Sequence, residues 1–132
     1  RIEEATTVRA KPGHGEEFEA AVKAWTAAVG RSSSGSKWRT YEVVAGAQDG
    51  TYLIFSSVAS FAEFDKEMTE GETTWKGLTF EERSTLHKFS AEGVISTTTN
   101  RYRLDPVQSY VPEETRKKDP AFWMPKSAEK KP

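Results

Sequence analysis

The sequence predicts one α+β domain, an antiparallel four-stranded sheet carrying its helices on one face, in the order β-α-β-β-α-(α)-β. Three observations predict it. Apolar residues recur at helical spacing from Phe18 to Val29. Two β-prone runs, Trp38 to Ala45 and Thr51 to Val58, flank an Asp49-Gly50 turn signal. Two capping boxes, Ser60-Phe61-Ala62-Glu63 and Thr79-Phe80-Glu81-Glu82, open further helices.

The first strand is expected from Ile2 to Ala10, where β-branched Thr6, Thr7 and Val8 suit a pleated surface. Lys11-Pro12-Gly13 ends it. A helix follows from Gly15 to about Val29, with Phe18, Ala21, Val22, Trp25 and Val29 on one stripe and Gly30 as its stop. Glu16, Glu17 and Glu19 lie near its start, where the dipole favours negative charge. Arg31 to Lys37 is a serine- and glycine-rich stretch that reads as a slack connection. After the hairpin, Phe61, Phe64 and Met68 mark the expected buried face of the next helix, and Gly71 its end. The third helix carries Leu86 and Phe89 inward and stops near Gly93. The last strand, Thr97 to Leu104, is polar and therefore expected at a sheet edge. These elements assign residues 1–106 to the domain. Residues 107–132 read as an extended, proline-punctuated tail, anchored by Phe122-Trp123-Met124 and fraying after Lys126.

Composition narrows the function. The 132 residues suit a single core. The 19 basic and 20 acidic side chains nearly cancel, leaving a net charge of -1. Nucleic-acid binding is not expected from so balanced a chain. No apolar run is long enough for a helical membrane span. Cysteine is absent, which removes disulfides, thiolate nucleophiles and cysteine metal sites. With His14 and His87 as the only imidazoles, no metal site and no cofactor is expected. Arg1, not Met, stands first, and the expectation drawn from it is export, with a signal peptide removed before Arg1.

Val8-Arg9-Ala10-Lys11-Pro12-Gly13-His14-Gly15-Glu16-Glu17-Phe18 resembles the strand-turn-helix opening of the dimeric α/β-barrel superfamily, among them antibiotic-biosynthesis monooxygenase-like and NIPSNAP-like domains. Thr51-Tyr52-Leu53-Ile54-Phe55 and Ser60-Phe61-Ala62-Glu63-Phe64-Asp65 resemble their third strand and second helix. The likeness spans about Ile2 to Leu104 and implies a ferredoxin-like sandwich that dimerises through its open sheet face. It carries over no catalytic residue. RNA-binding domains share this topology, but an acidic residue, Asp49, stands where their third strand has a basic one, and Thr51, Leu53 and Ser56 occupy the stacking positions.

Several side chains merit a chemical reading. His14 lies in a turn and suits capping; His-x-Glu at His14 and Glu16 is too short for a metal site. His87 reads first as a solvated helical histidine, and second as an acid/base group. Trp25, Trp38, Tyr41, Tyr52, Phe55, Phe61, Phe64 and Trp75 read first as core. Strand alternation separates Tyr41 from Trp38 and Glu42. Arg101 and Arg103 share one face of the last strand, as edge protection or as an anion clamp. The expected ligand site is a slot between sheet and helices near Trp25, Tyr41, Phe55 and His87, open to a small apolar or aromatic molecule. Three functions compete: a small-molecule-binding homodimer, a cofactor-free monooxygenase acting on an aromatic substrate, and a structural dimer with a filled core. A cavity of about 300 Å³ or more favours the first two.

Overall fold

The computed structural model describes residues 1–125 and divides into two compact units, Arg1–Tyr102 and the segment from Arg103 onward. The first unit holds β1 (Ile2–Ala10), α1 (Gly15–Arg31), β2 (Trp38–Glu42), β3 (Thr51–Val58), α2 (Phe61–Lys76) and α3 (Phe80–Lys88). A π-helical turn, Phe89–Gly93, leads into β4 (Val94–Arg103). The strands form one antiparallel sheet in the order β2-β3-β1-β4. β1 and β3 are therefore central, and β4 is an edge.

Register sorts the side chains. Val8 pairs with Tyr52, Thr6 with Ile54, Glu4 with Ser56 and Ile2 with Val58. On the other side of β3, Thr40 meets Ile54 and Trp38 meets Ser56. Alternation puts all of these on the helix-covered face. Ala5, Leu53, Phe55, Arg39 and Tyr41 take the opposite face, which no helix of this unit covers. The packed core is Val8, Ala10, Phe18, Ala21 and Phe89, with Tyr52 and Leu86 against it. Phe18 stacks on Tyr52 at 4.0 Å between ring centres and meets Phe89 at 5.4 Å. Such ring pairs add to the burial of their area.

The helix starts follow from local chemistry. Ser60 accepts a hydrogen bond from the backbone N–H of Glu63 at 3.2 Å, and the Glu63 carboxylate accepts one from the N–H of Ala59. Thr79 accepts from the N–H of Glu82 at 3.1 Å. Here the second half of the box is absent, because the Glu82 carboxylate accepts from Arg31 at 2.6 and 2.8 Å. That contact ties the end of α1 to the start of α3.

The ends depart from expectation. Gly30 and Gly71 lie inside helices: α1 runs on to Arg31, and α2 to Lys76 with Gly77 as its cap. Nothing at either glycine imposes a left-handed backbone, so neither breaks its helix. β2 stops at Glu42, and β4 starts at Val94, three residues before Thr97. Phe61 and Met68, expected inside, are 62% and 59% exposed. Of that trio only Phe64 turns toward the sheet, and Thr74 is the fully buried residue of α2. The serine-rich stretch is latched rather than slack. Ser34 Oγ donates to Glu70 at 3.2 Å, the N–H of Gly35 donates to the same carboxylate, and Thr74 Oγ1 donates to Ser32 at 3.3 Å.

The second unit, expected as an extended tail, carries two short helices. Asp105 accepts from the N–H groups of Val107 and Gln108. α4 (Glu113–Lys118) carries a Glu113–Lys117 ion pair at 2.7 Å, and the Arg116 guanidinium lies over Tyr110. α5 (Pro120–Trp123) is capped by Asp119, and the Phe122 and Trp123 rings meet edge-on at 5.0 Å. The expected fraying point after Lys126 lies outside the described residues.

Gly50 supplies the tightest turn. Its φ is +81°, its carbonyl accepts from the N–H of Ala10 at 2.8 Å, and an added Cβ would stand 3.0 Å from the Ala10 carbonyl oxygen. Gly50→Ala is expected to cost about 1–3 kcal/mol from the left-handed backbone alone, with the close approach adding to it. Ser60→Ala is expected to cost about 1 kcal/mol. Urea unfolding of the two variants beside the parent protein measures both; a Gly50→Ala midpoint at or above that of Ser60→Ala contradicts the turn assignment.

Candidate functional site

Two adjoining cavities lie between the sheet and its helices. The first has a volume of about 260 Å³. α1 supplies Phe18, Ala21, Val22 and Trp25, because positions three and four apart share the face turned to the sheet. Leu86 and Phe89 close one side, and Trp38 and Ile54 form the sheet wall. Every wall is apolar except for the indole N–H groups. The second cavity, about 200 Å³, shares Trp25, Trp38 and Ile54 with the first. Its remaining walls are mostly polar, among them Glu4, Thr6, Ser56, Glu67, Thr74, and Ser34, Ser36 and Lys37 of the latched loop. Together they make one slot, apolar at one end and polar at the other, with two tryptophans at the junction.

The polar end is electrostatically uneven. Arg101 Nε donates to Glu4 at 2.8 Å, and its guanidinium stands 4.5 Å from the centre of the Phe64 ring. Arg101 thus pairs inward across the strands instead of only guarding an edge. Burial pushes the Glu67 carboxyl above its ordinary value, and Glu63, Glu70 and Glu4 push it further in the same direction. Burial likewise raises the Tyr52 phenol, with Glu42 and Glu19 adding to it. At the mouth of α1, Glu17 is held low by its hydrogen bond with His14, whose Nδ1 lies 2.9 Å away.

The four residues singled out from sequence do not come together. Trp25 lines the slot. Phe55 and Tyr41 sit on the opposite face of the sheet, their rings edge-on at 5.6 Å. They border another groove with Glu3 and Arg39, which meets the slot at Lys37, Trp38 and Ser56. Phe55 was expected to face the helices, but it pairs with Ala5 and so lies on the face opposite to Thr6, Val8 and their partners. Trp38 holds the place given to Tyr41. His87 is exposed on α3 and lines neither cavity. Sequence reading missed Glu4 and Glu67. The signal for Glu67 was its spacing from Phe64 and Thr74, which sets one inward stripe along α2; for Glu4 it was parity with Thr6 and Val8.

Among the described residues no group of three or more His, Asp or Glu is placed to hold a metal ion. No helix among them is long and apolar enough to cross a membrane.

No family model matches the chain, and no curated protein matches it. Solved structures do. An uncharacterized NIPSNAP domain protein from Burkholderia xenovorans superposes with a TM-score of 0.62 at 8% identity, over 86% of this chain and 100% of its own. An antibiotic biosynthesis monooxygenase-like protein from Deinococcus radiodurans gives 0.54 at 11% identity, over 85% and 97%. A monooxygenase-like protein from Lactobacillus acidophilus gives 0.52 at 14%, over 76% of this chain and 42% of its own. At these identities the likeness is one of fold. The chain has a ferredoxin-like α+β fold, the one it shares with these NIPSNAP and antibiotic biosynthesis monooxygenase-like structures.

Proposed function

We propose that the chain is a small-molecule-binding domain that works as a homodimer and holds its ligand in the slot under the sheet. The observation that carries the reading is the apolar chamber of about 260 Å³ walled by Trp25, Trp38, Phe18 and Leu86. Alone it falls just short of about 300 Å³, the lower size of small-molecule sites. The adjoining polar chamber extends it through shared walls. A filled structural core would leave neither. A monooxygenase would need an acid/base group in the slot; His87 lies outside it, Glu4 is held by Arg101, and binding is the function the geometry supports best.

Dimerisation rests on the open face. Phe55, Leu53 and Ala5 lie there beside Tyr41, which is 48% exposed. A sheet packed on one side only needs cover on the other, and a second copy supplies it by isologous packing. The covered faces would then form the barrel of the dimeric α/β-barrel proteins.

Three outcomes are expected. Ala21 is buried at the chamber wall, so Ala21→Leu fills space a ligand needs. Titration with 2-naphthol, followed by tryptophan fluorescence, is expected to show saturable quenching that weakens at least about tenfold in Ala21→Leu and in Trp38→Phe; Phe55→Leu leaves it unchanged. Unaltered binding in Ala21→Leu places the ligand elsewhere. Light scattering is expected to give twice the 14.8 kDa chain mass, and Phe55→Arg to give the single mass. A parent protein that elutes as a monomer at high micromolar concentration contradicts the dimer.

Glu67 gives the third. Its carboxyl is raised in the folded state, so folding favours its protonated form. That stability is complete below the unfolded-state value and is lost as pH rises through the folded one. Glu67→Gln is therefore expected to unfold at a higher denaturant concentration than the parent above this window, with the gap closing below it. A variant less stable at neutral pH would make Glu67 a structural residue rather than one kept for binding.

A further inference from the structure

We propose that the slot takes an organic cation: an amine with a flat apolar body, whose ammonium group enters the polar chamber against Glu67 and the faces of Trp25 and Trp38. This rests on the reading of the slot as a ligand site and names the chemistry of its occupant.

The inference starts from how the acids near the polar chamber are matched. Glu4 has Arg101 at 2.8 Å. Glu70 has Lys66 at 3.7 Å and accepts from Ser34 and Gly35. Glu63 is spent on the N-terminus of α2. Glu67 is different: among the described residues its carboxylate has no ion pair and accepts no hydrogen bond, although it is only partly exposed. It is the acid left over at the floor of the chamber, in the field of the other three. A half-buried carboxylate without a partner is costly, and a bound cation removes that cost.

The tryptophans point to the same class. Trp25 and Trp38 wall both chambers. Indole faces attract cations through their negative quadrupole, more strongly where water is excluded. An aromatic or branched apolar body then has the first chamber available, where all eight lining residues are hydrophobic. Lys37 also lines the polar chamber, but it is an exposed residue of the connecting loop, whereas Glu67 is partly buried on α2. A neutral head group would leave the charge of Glu67 unmatched, and an anionic one would repel it.

Calorimetric titration of the full chain with 2-phenylethylamine, 2-phenylethanol and 3-phenylpropionate tests this, since the three carry one ring with a cationic, a neutral and an anionic end. The amine is expected to bind about tenfold more tightly than the alcohol. In Glu67→Gln that advantage disappears while the alcohol binds as before; in Lys37→Gln it persists. Equal affinities for amine and alcohol, tightest binding of the acid, or an amine advantage that survives Glu67→Gln overturns the cation assignment and leaves the slot standing. Binding of none of the three removes the slot reading and the cation with it.

Discussion

The structure depends on one constraint, the parity of the central strand pair. β1 and β3 run antiparallel in a register that sets Val8 beside Tyr52, Thr6 beside Ile54 and Glu4 beside Ser56. A slip of one residue would turn every one of these away from the helices. The pairing is held by the stack of Phe18 on Tyr52 and by the burial of Val8 and Ala10 under α1. It is reinforced at the other end by the Arg101–Glu4 ion pair and by the Thr6–Thr99 hydroxyl contact at 3.0 Å, which carry the same parity into β4. Once the register is set, the slot has no freedom in its composition.

That composition changes steadily along the strand. At Tyr52 the space under the sheet is closed by aromatic packing. At Ile54 it opens into the apolar chamber, and at Ser56 it has become polar. The helices follow the gradient. α1 and α3 bring Phe18, Val22 and Leu86 to the apolar end. α2 brings Glu67 and Thr74 to the polar end, and leaves Phe61, Met68 and Trp75 pointing outward. The inverted helix and the polar chamber are therefore one fact. A helix that packed Phe61 and Met68 inward would fill the chamber and remove the carboxylate. The latch of Ser34 and Gly35 onto Glu70 adds the loop to the same end, so three chain segments distant in sequence share one compartment.

Much of the fold was legible because its signals are local. Pro12-Gly13 ends β1 where a ladder cannot continue, and Ser60 and Thr79 open their helices by side-chain oxygens that accept specific N–H groups. Helix ends were less legible, because a glycine can continue a helix, as Gly30 and Gly71 do without a left-handed backbone. The face of β3 was not legible at all. Leu53 and Phe55 are as apolar as Tyr52 and Ile54, so a period of two marks a strand without choosing which side meets the helices. Phe55 and Tyr41 were lost from the site for this reason, and Trp38 gained. Glu67 was hidden by the opposite error: an apolar stripe on α2 was read as its inner face, although a polar face can turn inward where it has a chamber to line.

The balance between stability and site follows from the same residues. Protein interiors pack close to the density of organic crystals, and space left beside apolar walls costs contact energy. Here Ala21 sits at the wall of the first chamber where a larger side chain would fill it, and Trp25 and Trp38 stay partly exposed instead of closing over one another. Glu67 stands without a partner on a helix that has Lys66 and Lys76 available but directs Lys66 to Glu70. Each is a poor choice for a core and a sensible one for a binding slot. Natural chains keep such losses where activity needs them. The apolar chamber, the indole junction and the unmatched carboxylate adjoin one another through shared walls, and it is their adjacency, more than any single residue, that supports the proposed ligand site.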